Sequence, residues 1–200
     1  MHPENELTGQ ESLAIIESMI NKAKNQFSQN GHLYLIWGWA VFICGIAQFI
    51  LLNYVHYEKH YVVWFSLWLV LIYQVFYLRK ERRQRKVRTY TDEIIAFVWL
   101  VFIILMGLFG FLSARVFDNN SYYSFIDPAF LALYGMPTFL SGIILKFRPL
   151  IIGGICCWFL SVIATFISPQ YHLLFVPVAM VVAWIIPGYK LNAKYKEQKA

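Results

Sequence analysis

Residues 61–88 read YVVWFSLWLVLIYQVFYL followed at once by RKERRQRKVR: a long run without a formal charge, then a run dominated by Lys and Arg. An apolar stretch of this length crosses a hydrocarbon core roughly 30 Å thick as an α-helix. Away from water the backbone must satisfy its own hydrogen bonds, so a continuous helix is the form such a stretch takes. Outward from it lie five more runs of the same kind: His32 to Leu52, Ile94 to Leu112, Ala129 to Leu145, Leu150 to Ile167 and Leu173 to Tyr189. Each is about 17–22 residues long, and none contains Asp, Glu, Lys or Arg. The sequence therefore predicts an all-α, polytopic membrane protein with six transmembrane helices.

The cations orient it. Of the 17 Lys and Arg residues, only Lys59 and Arg115 lie on the side opposite the run from Arg79 to Arg88. Lys22 and Lys24 precede the first span, Lys146 and Arg148 join the fourth to the fifth, and Lys190, Lys194, Lys196 and Lys199 follow the sixth. Short cytoplasmic connections retain positive charge during insertion, so both termini are expected in the cytoplasm. The formal charge of +6 and pI near 9.2 then follow from topology, without nucleic acid as a partner. Residues 1–30 are expected to form a cytoplasmic amphipathic helix, 31–189 a six-helix transmembrane bundle and 190–200 a basic cytoplasmic tail. No cleavable signal peptide is read, because the first apolar run follows thirty polar residues and exceeds an h-region. Cys44, Cys156 and Cys157 sit mid-span and read as small packing residues.

The amino-terminal segment carries a soluble-type pattern. Thr8 and Glu11 have capping-box spacing. Leu13, Ile16, Ile20 and Phe27 follow helical steps, with polar residues opposite. Such a stripe lies on the inner leaflet or under the bundle, or it docks a protein partner or a second copy of the chain. The cytoplasmic cations Arg79, Lys80, Arg82, Arg83, Arg85, Lys86 and Arg88 serve topology. They also suit anionic lipid head groups, at about 1 kcal/mol each. The run has no aromatic residue on which a nucleotide base would stack.

Within the spans the small residues are regularly placed. Gly31, Gly38 and Gly45 recur every seven residues, as do Gly135 and Gly142, while Gly153, Cys157, Ser161 and Thr165 fall every fourth. Small residues let helix backbones approach closely, and these are read as helix-packing positions. The Gly38 and Gly135 surroundings superpose, but the same offset carries the third span past the sixth, so no inverted repeat is assigned.

Reaction signatures are absent. There is no HExxH and no pair of carboxylates inside a span, and Ser141-Gly142 stands without the preceding glycine and histidine of a serine membrane protease. No cofactor is expected. On the outer side His56 and His60 have a spacing that a helix would turn toward one metal ion, with His172 further along. Asp127-Pro128 reads instead as a helix cap with Pro at the first helical position. Ion-coupled transport draws on ionisable groups at membrane depth, and the runs hold none. Gln48, Ser66, Gln74, Thr138, Ser141, Ser161 and Thr165 can bond across helices or line a narrow path for a neutral solute.

Glu11-Ser-Leu-Ala-Ile-Ile-Glu-Ser-Met-Ile20 with Trp37-Gly-Trp39, then Tyr134-Gly-Met-Pro137 with Arg148-Pro149 and Gly153-Gly154, and finally Ile186-Pro-Gly-Tyr189 stand together across most of the chain. In these stretches the chain resembles small six-span bacterial inner-membrane proteins that carry no assigned activity. The resemblance implies a bacterial inner-membrane location; its motifs are structural and bring no activity or functional residue with them. The expected function is a non-enzymatic membrane component that binds or regulates a partner through its cytoplasmic helix and basic loop. The alternative is a channel or transporter for a small neutral or lipophilic solute.

The orientation is testable in a variant lacking native cysteines. A cysteine at Asn119 should react with a membrane-impermeant reagent in intact cells, and one at Gln84 only after permeabilisation. The reverse pattern would overturn it.

Overall fold

The structure, a computed structural model, describes residues 31–84 and 90–197 together with Gln10, Leu13 and Ala14. Among them every regular element is a helix. In chain order these are α1 (Gly31–Asn53), a 3₁₀ segment (His60–Ser66), α2 (Leu67–Gln84), α3 (Tyr90–Val116), α4 (Asn119–Ile144), α5 (Arg148–Ala164), a 3₁₀ turn (Pro169–Tyr171), α6 (His172–Met180), a π turn (Val181–Ile185) and α7 (Ile186–Glu197). Four stretches are long and apolar enough to cross a membrane: Gly31–Asn53, His60–Lys80, Glu93–Val116 and Pro169–Lys194. α5 is a shorter apolar helix of 17 residues. α4 has 26 residues but holds Asp127, Pro128 and Pro137 within it.

The helix ends differ instructively from the sequence reading. The fourth apolar run was expected to be capped by Asp127-Pro128, and that is incorrect. Asp118 is the N-cap, its carboxylate accepting from the Ser121 N–H at 3.3 Å, so the helix starts nine residues earlier and encloses Pro128. Hydrogen bonds from the Ser121 hydroxyl and N–H hold the Asp118 carboxyl below its ordinary value, as expected of an acid at a helix amino terminus. α4 ends in a Schellman arrangement: the Phe147 N–H bonds the Gly142 carbonyl at 2.8 Å, and the Lys146 N–H bonds that of Ile143 at 3.0 Å. Lys146 itself takes the left-handed conformation, φ 50°, where glycine is usual. The second span opens as 3₁₀ and becomes α-helical only at Leu67.

α1, α4, α5 and the stretch that the sequence leads one to expect as the sixth span, so labelled below (α6, the π turn and α7), form the packed centre. α1 runs antiparallel to the sixth span, and its three glycines face it at successive levels. A Cβ added at Gly45 would lie 2.9 Å from Pro177 Cγ, at Gly38 2.9 Å from Ile185 Cγ1, and at Gly31 3.2 Å from the Gly188 carbonyl oxygen. A seven-residue step drifts only about 20° around a straight helix, which keeps all three on one face. α4 and α5 form an antiparallel hairpin in which Gly135 meets Gly154 and Trp158, and Gly142 meets Leu150 and Ile151. α5 closes on the sixth span at Gly153, whose added Cβ would lie 2.7 Å from Ala183 Cα. The every-fourth-residue row in α5 therefore splits. Gly153 faces the sixth span, Cys157 is buried, Ser161 donates to the Pro128 carbonyl of α4 at 2.7 Å, and Thr165 is exposed at the helix end. Rows of i, i+4 residues are inclined to the helix axis, so one row passes from one neighbour to the next.

α2 and α3 are peripheral. α2 packs on α1 and α3 on α4, and their outer faces expose Phe65, Trp68, Leu69 and Phe76, and Phe97, Ile103 and Phe111. Such surfaces match a lipid solvent. Gly107 of α3 has nothing within 4 Å of an added Cβ.

These two glycine environments make opposite predictions. Gly153→Ala should lower the melting temperature in detergent, because the methyl meets backbone that cannot yield; overpacking of this kind costs about 1–3 kcal/mol. Gly107→Ala should leave it unchanged or raise it, since alanine is the better helix former by about 0.5–1 kcal/mol. Equal melting of both variants would contradict the packing described.

Candidate functional site

Three places gather chemically capable side chains: the bundle centre, the end expected outside and the end expected in the cytoplasm. The centre is aromatic. Trp99, Phe102, Tyr134 and Trp184 form a closed circuit, with successive ring centroids 5.6, 5.4, 5.6 and 5.4 Å apart, and Tyr34 joins at Trp99. Most of these contacts are edge-to-face, the arrangement the ring quadrupoles favour. The rings come from α1, α3, α4 and the π turn, so this circuit ties four segments together. Trp184 is 2 % exposed, and its indole N–H donates to Thr138 Oγ1 at 2.9 Å, while Thr138 donates to the Tyr134 carbonyl at 2.8 Å. Ser141 Oγ is buried near Tyr34 without closing a hydrogen bond. Leu131, Cys157, Ala179, Met180 and Ala183 have no exposed surface and fill the space around the rings.

The remaining intramembrane polar groups are spent on neighbours. Gln74 accepts from the Trp37 indole at 2.7 Å. Gln48 uses both ends of its amide: Oε1 accepts from the Trp64 indole, and Nε2 donates to His60 Nδ1 at 3.0 Å. That network pins the 3₁₀ segment against α1. His60 is thereby buried and engaged, while His56 lies in a non-helical loop at φ 51°. The spacing of the two histidines consequently does not place them on one helical face. Among the described residues no three His, Cys, Asp or Glu side chains gather as a metal site.

At the end expected outside, where the sequence gathers His56, Glu58, His60, Asp118, Asp127 and His172, the structure sets Asp127 within electrostatic reach of His172. α4 and the sixth span run parallel, and Asp127 and His172 occupy matching levels on them. His172 is 2 % exposed; its Nε2–H donates to the Ile167 carbonyl at 2.9 Å, and Nδ1 is buried without a partner. Asp127 is half-buried, and burial pushes its carboxyl up to about 6, against an opposing attraction from His172. Mistaking Asp127 for a cap hid it: only the parallel packing of two helices distant in sequence juxtaposes the pair. The Asp127 carboxyl can therefore take up a proton near pH 6.

At the bundle end that the charge distribution assigns to the cytoplasm, Arg79 and Lys80 are exposed at the end of α2, whose backbone continues helically through Arg82 and Arg83 to Gln84. Arg85, Lys86 and Arg88 lie outside the described residues, as do Ile16, Ile20 and Phe27. Leu13 is helical and 66 % exposed. Comparison of the chain with protein-family models, with curated proteins and with solved structures finds no match.

The outer pair predicts a pH dependence. The Asp127 carboxyl sits near 6 in the folded state and near 4 when unfolded, so between those values the native protein binds the extra proton. Its stabilising contribution is complete below about pH 4 and is lost as pH rises through about 6. The melting temperature of wild type minus that of Asp127→Asn should therefore fall between about pH 4.5 and 7.5. A flat difference would show that Asp127 is solvated.

Proposed function

We propose that this protein is a non-enzymatic, six-span component of the bacterial inner membrane, with both termini cytoplasmic, that binds or regulates a protein partner through its amino-terminal helix and basic loop. The α4–α5 hairpin supplies the two spans beyond the four long apolar stretches. Seventeen residues of α5 rise roughly 26 Å. Beyond α5, i−3 hydrogen bonds carry the chain from Thr165 to Ile167, close to the thickness of a hydrocarbon core. Anionic lipids at the cytoplasmic face accompany this placement, drawn by Arg79, Lys80 and the cations that follow.

The observation that carries the reading is the filled centre. A conduit for a solute needs a wettable path, whereas the Trp99–Phe102–Tyr134–Trp184 circuit and the fully buried residues around it occupy the middle of the bundle. Gln74, Thr138 and Ser161 bond to other side chains or to backbone carbonyls, and Ser141 is fully buried, so none of them lines a channel. A rigid membrane platform bearing an amphipathic cytoplasmic helix fits recruitment better than passage. The stripe of Leu13, Ile16, Ile20 and Phe27, left in water, would expose a contiguous apolar strip that needs cover.

Ile16→Asp with Ile20→Asp tests this in native membranes. The bundle should insert and melt as before, while in-cell cross-linking and co-purification lose one specific protein. Loss of no protein, together with solute flux through reconstituted vesicles, would replace this reading with transport.

A further inference from the structure

Below the Gly153–Ala183 contact, α5 and the sixth span diverge toward the cytoplasm and leave a groove of about 160 Å³ between them. Its walls are Pro149, Ile152, Val182, Ile186 and Pro187, and Arg148 and Lys190 stand at its rim. The lining is almost wholly apolar, while both rim cations are exposed. The π turn shapes one wall. The Ile186 N–H bonds the Val181 carbonyl five residues back, and this wider turn presents Val182 and Ile186 to the groove. π turns inserted in α-helices occur frequently at functional sites. Pro149, half-buried, adds a rigid ring face that loses no rotamer freedom when covered, and the buried Pro187 backs the groove.

We propose that this groove holds one anionic phospholipid of the cytoplasmic leaflet, its phosphate between Arg148 and Lys190 and the start of one acyl chain on the apolar walls. Charge complementarity selects the occupant. Both cations line one groove, Arg148 as the first residue of α5, whose N-cap Phe147 offers no side-chain oxygen to cap the helix. A zwitterionic head group would bring a choline or ethanolamine cation to the same rim. The volume accommodates about five water-sized groups, which suits the first methylenes of a chain and not a whole lipid. Basic pockets between spans on the cytoplasmic side are a recognised form of head-group site. This inference rests on the inner-leaflet placement of the Arg148 and Lys190 ends and is independent of the amino-terminal helix.

The full-length protein, delipidated in detergent, is titrated with phosphatidylglycerol, phosphatidylcholine and glycerol 1-phosphate. Native mass spectrometry reads occupancy and thermal melting reads stabilisation. One tightly held phosphatidylglycerol per chain should raise the melting temperature, with phosphatidylcholine and glycerol 1-phosphate giving no comparable rise. Arg148→Gln with Lys190→Gln should weaken that lipid about tenfold or more, since two head-group charges are lost. Arg148→Lys with Lys190→Arg should retain it. Ile152→Trp, which fills the groove and leaves both cations, should also lose it. Arg79→Gln with Lys80→Gln, changing cations of α2 away from the groove, should not. Undiminished binding in the Arg148/Lys190 or the Ile152 variant would overturn the proposal. So would equal loss in the α2 variant, or equal stabilisation by glycerol 1-phosphate, which would make the site one for a soluble anion.

Discussion

Direct contact between helix backbones, permitted by glycine, is the constraint on which the rest of this bundle depends. In lipid there is little hydrophobic gain from bringing two apolar helices together, so close packing must supply the attraction. Gly31, Gly38 and Gly45 let α1 lie against the sixth span, Gly135, Gly142 and Gly154 bring α4 and α5 together, and Gly153 seats α5 on the π turn. At several of these positions even a methyl group would meet backbone atoms. The glycines are thus the points that set interhelical distance, and larger side chains fill what remains.

Once those distances are set, the aromatic circuit has only one place to form. Trp184 reaches Trp99 and Tyr134 because the π turn offsets it from an α-helical register and because Gly38 admits the sixth span beside α1. The circuit in turn anchors α3, a peripheral helix with a largely exposed surface, through Trp99 and Phe102. α2 is held differently, by hydrogen bonds from Trp37 to Gln74 and by the Gln48 network on the 3₁₀ segment that precedes it. A rigid centre with two lipid-facing outriggers is the consequence.

The ends of the bundle are where its chemistry concentrates. The π turn and Pro187 interrupt the regular ladder of the sixth span where it borders the groove. At one end of the bundle the half-buried Asp127 lies within electrostatic reach of the buried His172; at the other the divergence of α5 from α7 leaves an apolar groove beneath two cations. Helices that touch through small residues at one level must separate elsewhere if they cross at an angle, so close contact and open groove have one cause.

The apolar runs, their approximate limits and the sidedness of charge were legible in the sequence because hydropathy and length are local properties. The run from His32 to Leu52 corresponds to α1, Gly31–Asn53, within one residue at each end. The seven-residue glycine step of α1 identified a face, but nothing in α1 names the helix that covers it. Asp118 displaced Asp127 as the cap of α4, and His172 became the neighbour of Asp127, only when the parallel packing of α4 with the sixth span was known. The left-handed Lys146, which ends α4 where glycine is usual, and the π turn were likewise not legible, since no residue type at either place announces them. Sequence determined which segments are apolar and long enough to suit a membrane, through solvation of one segment at a time. The tertiary structure alone decided which backbones touch, and so which polar groups meet, because those contacts depend on separations of 3–4 Å between residues far apart in the chain.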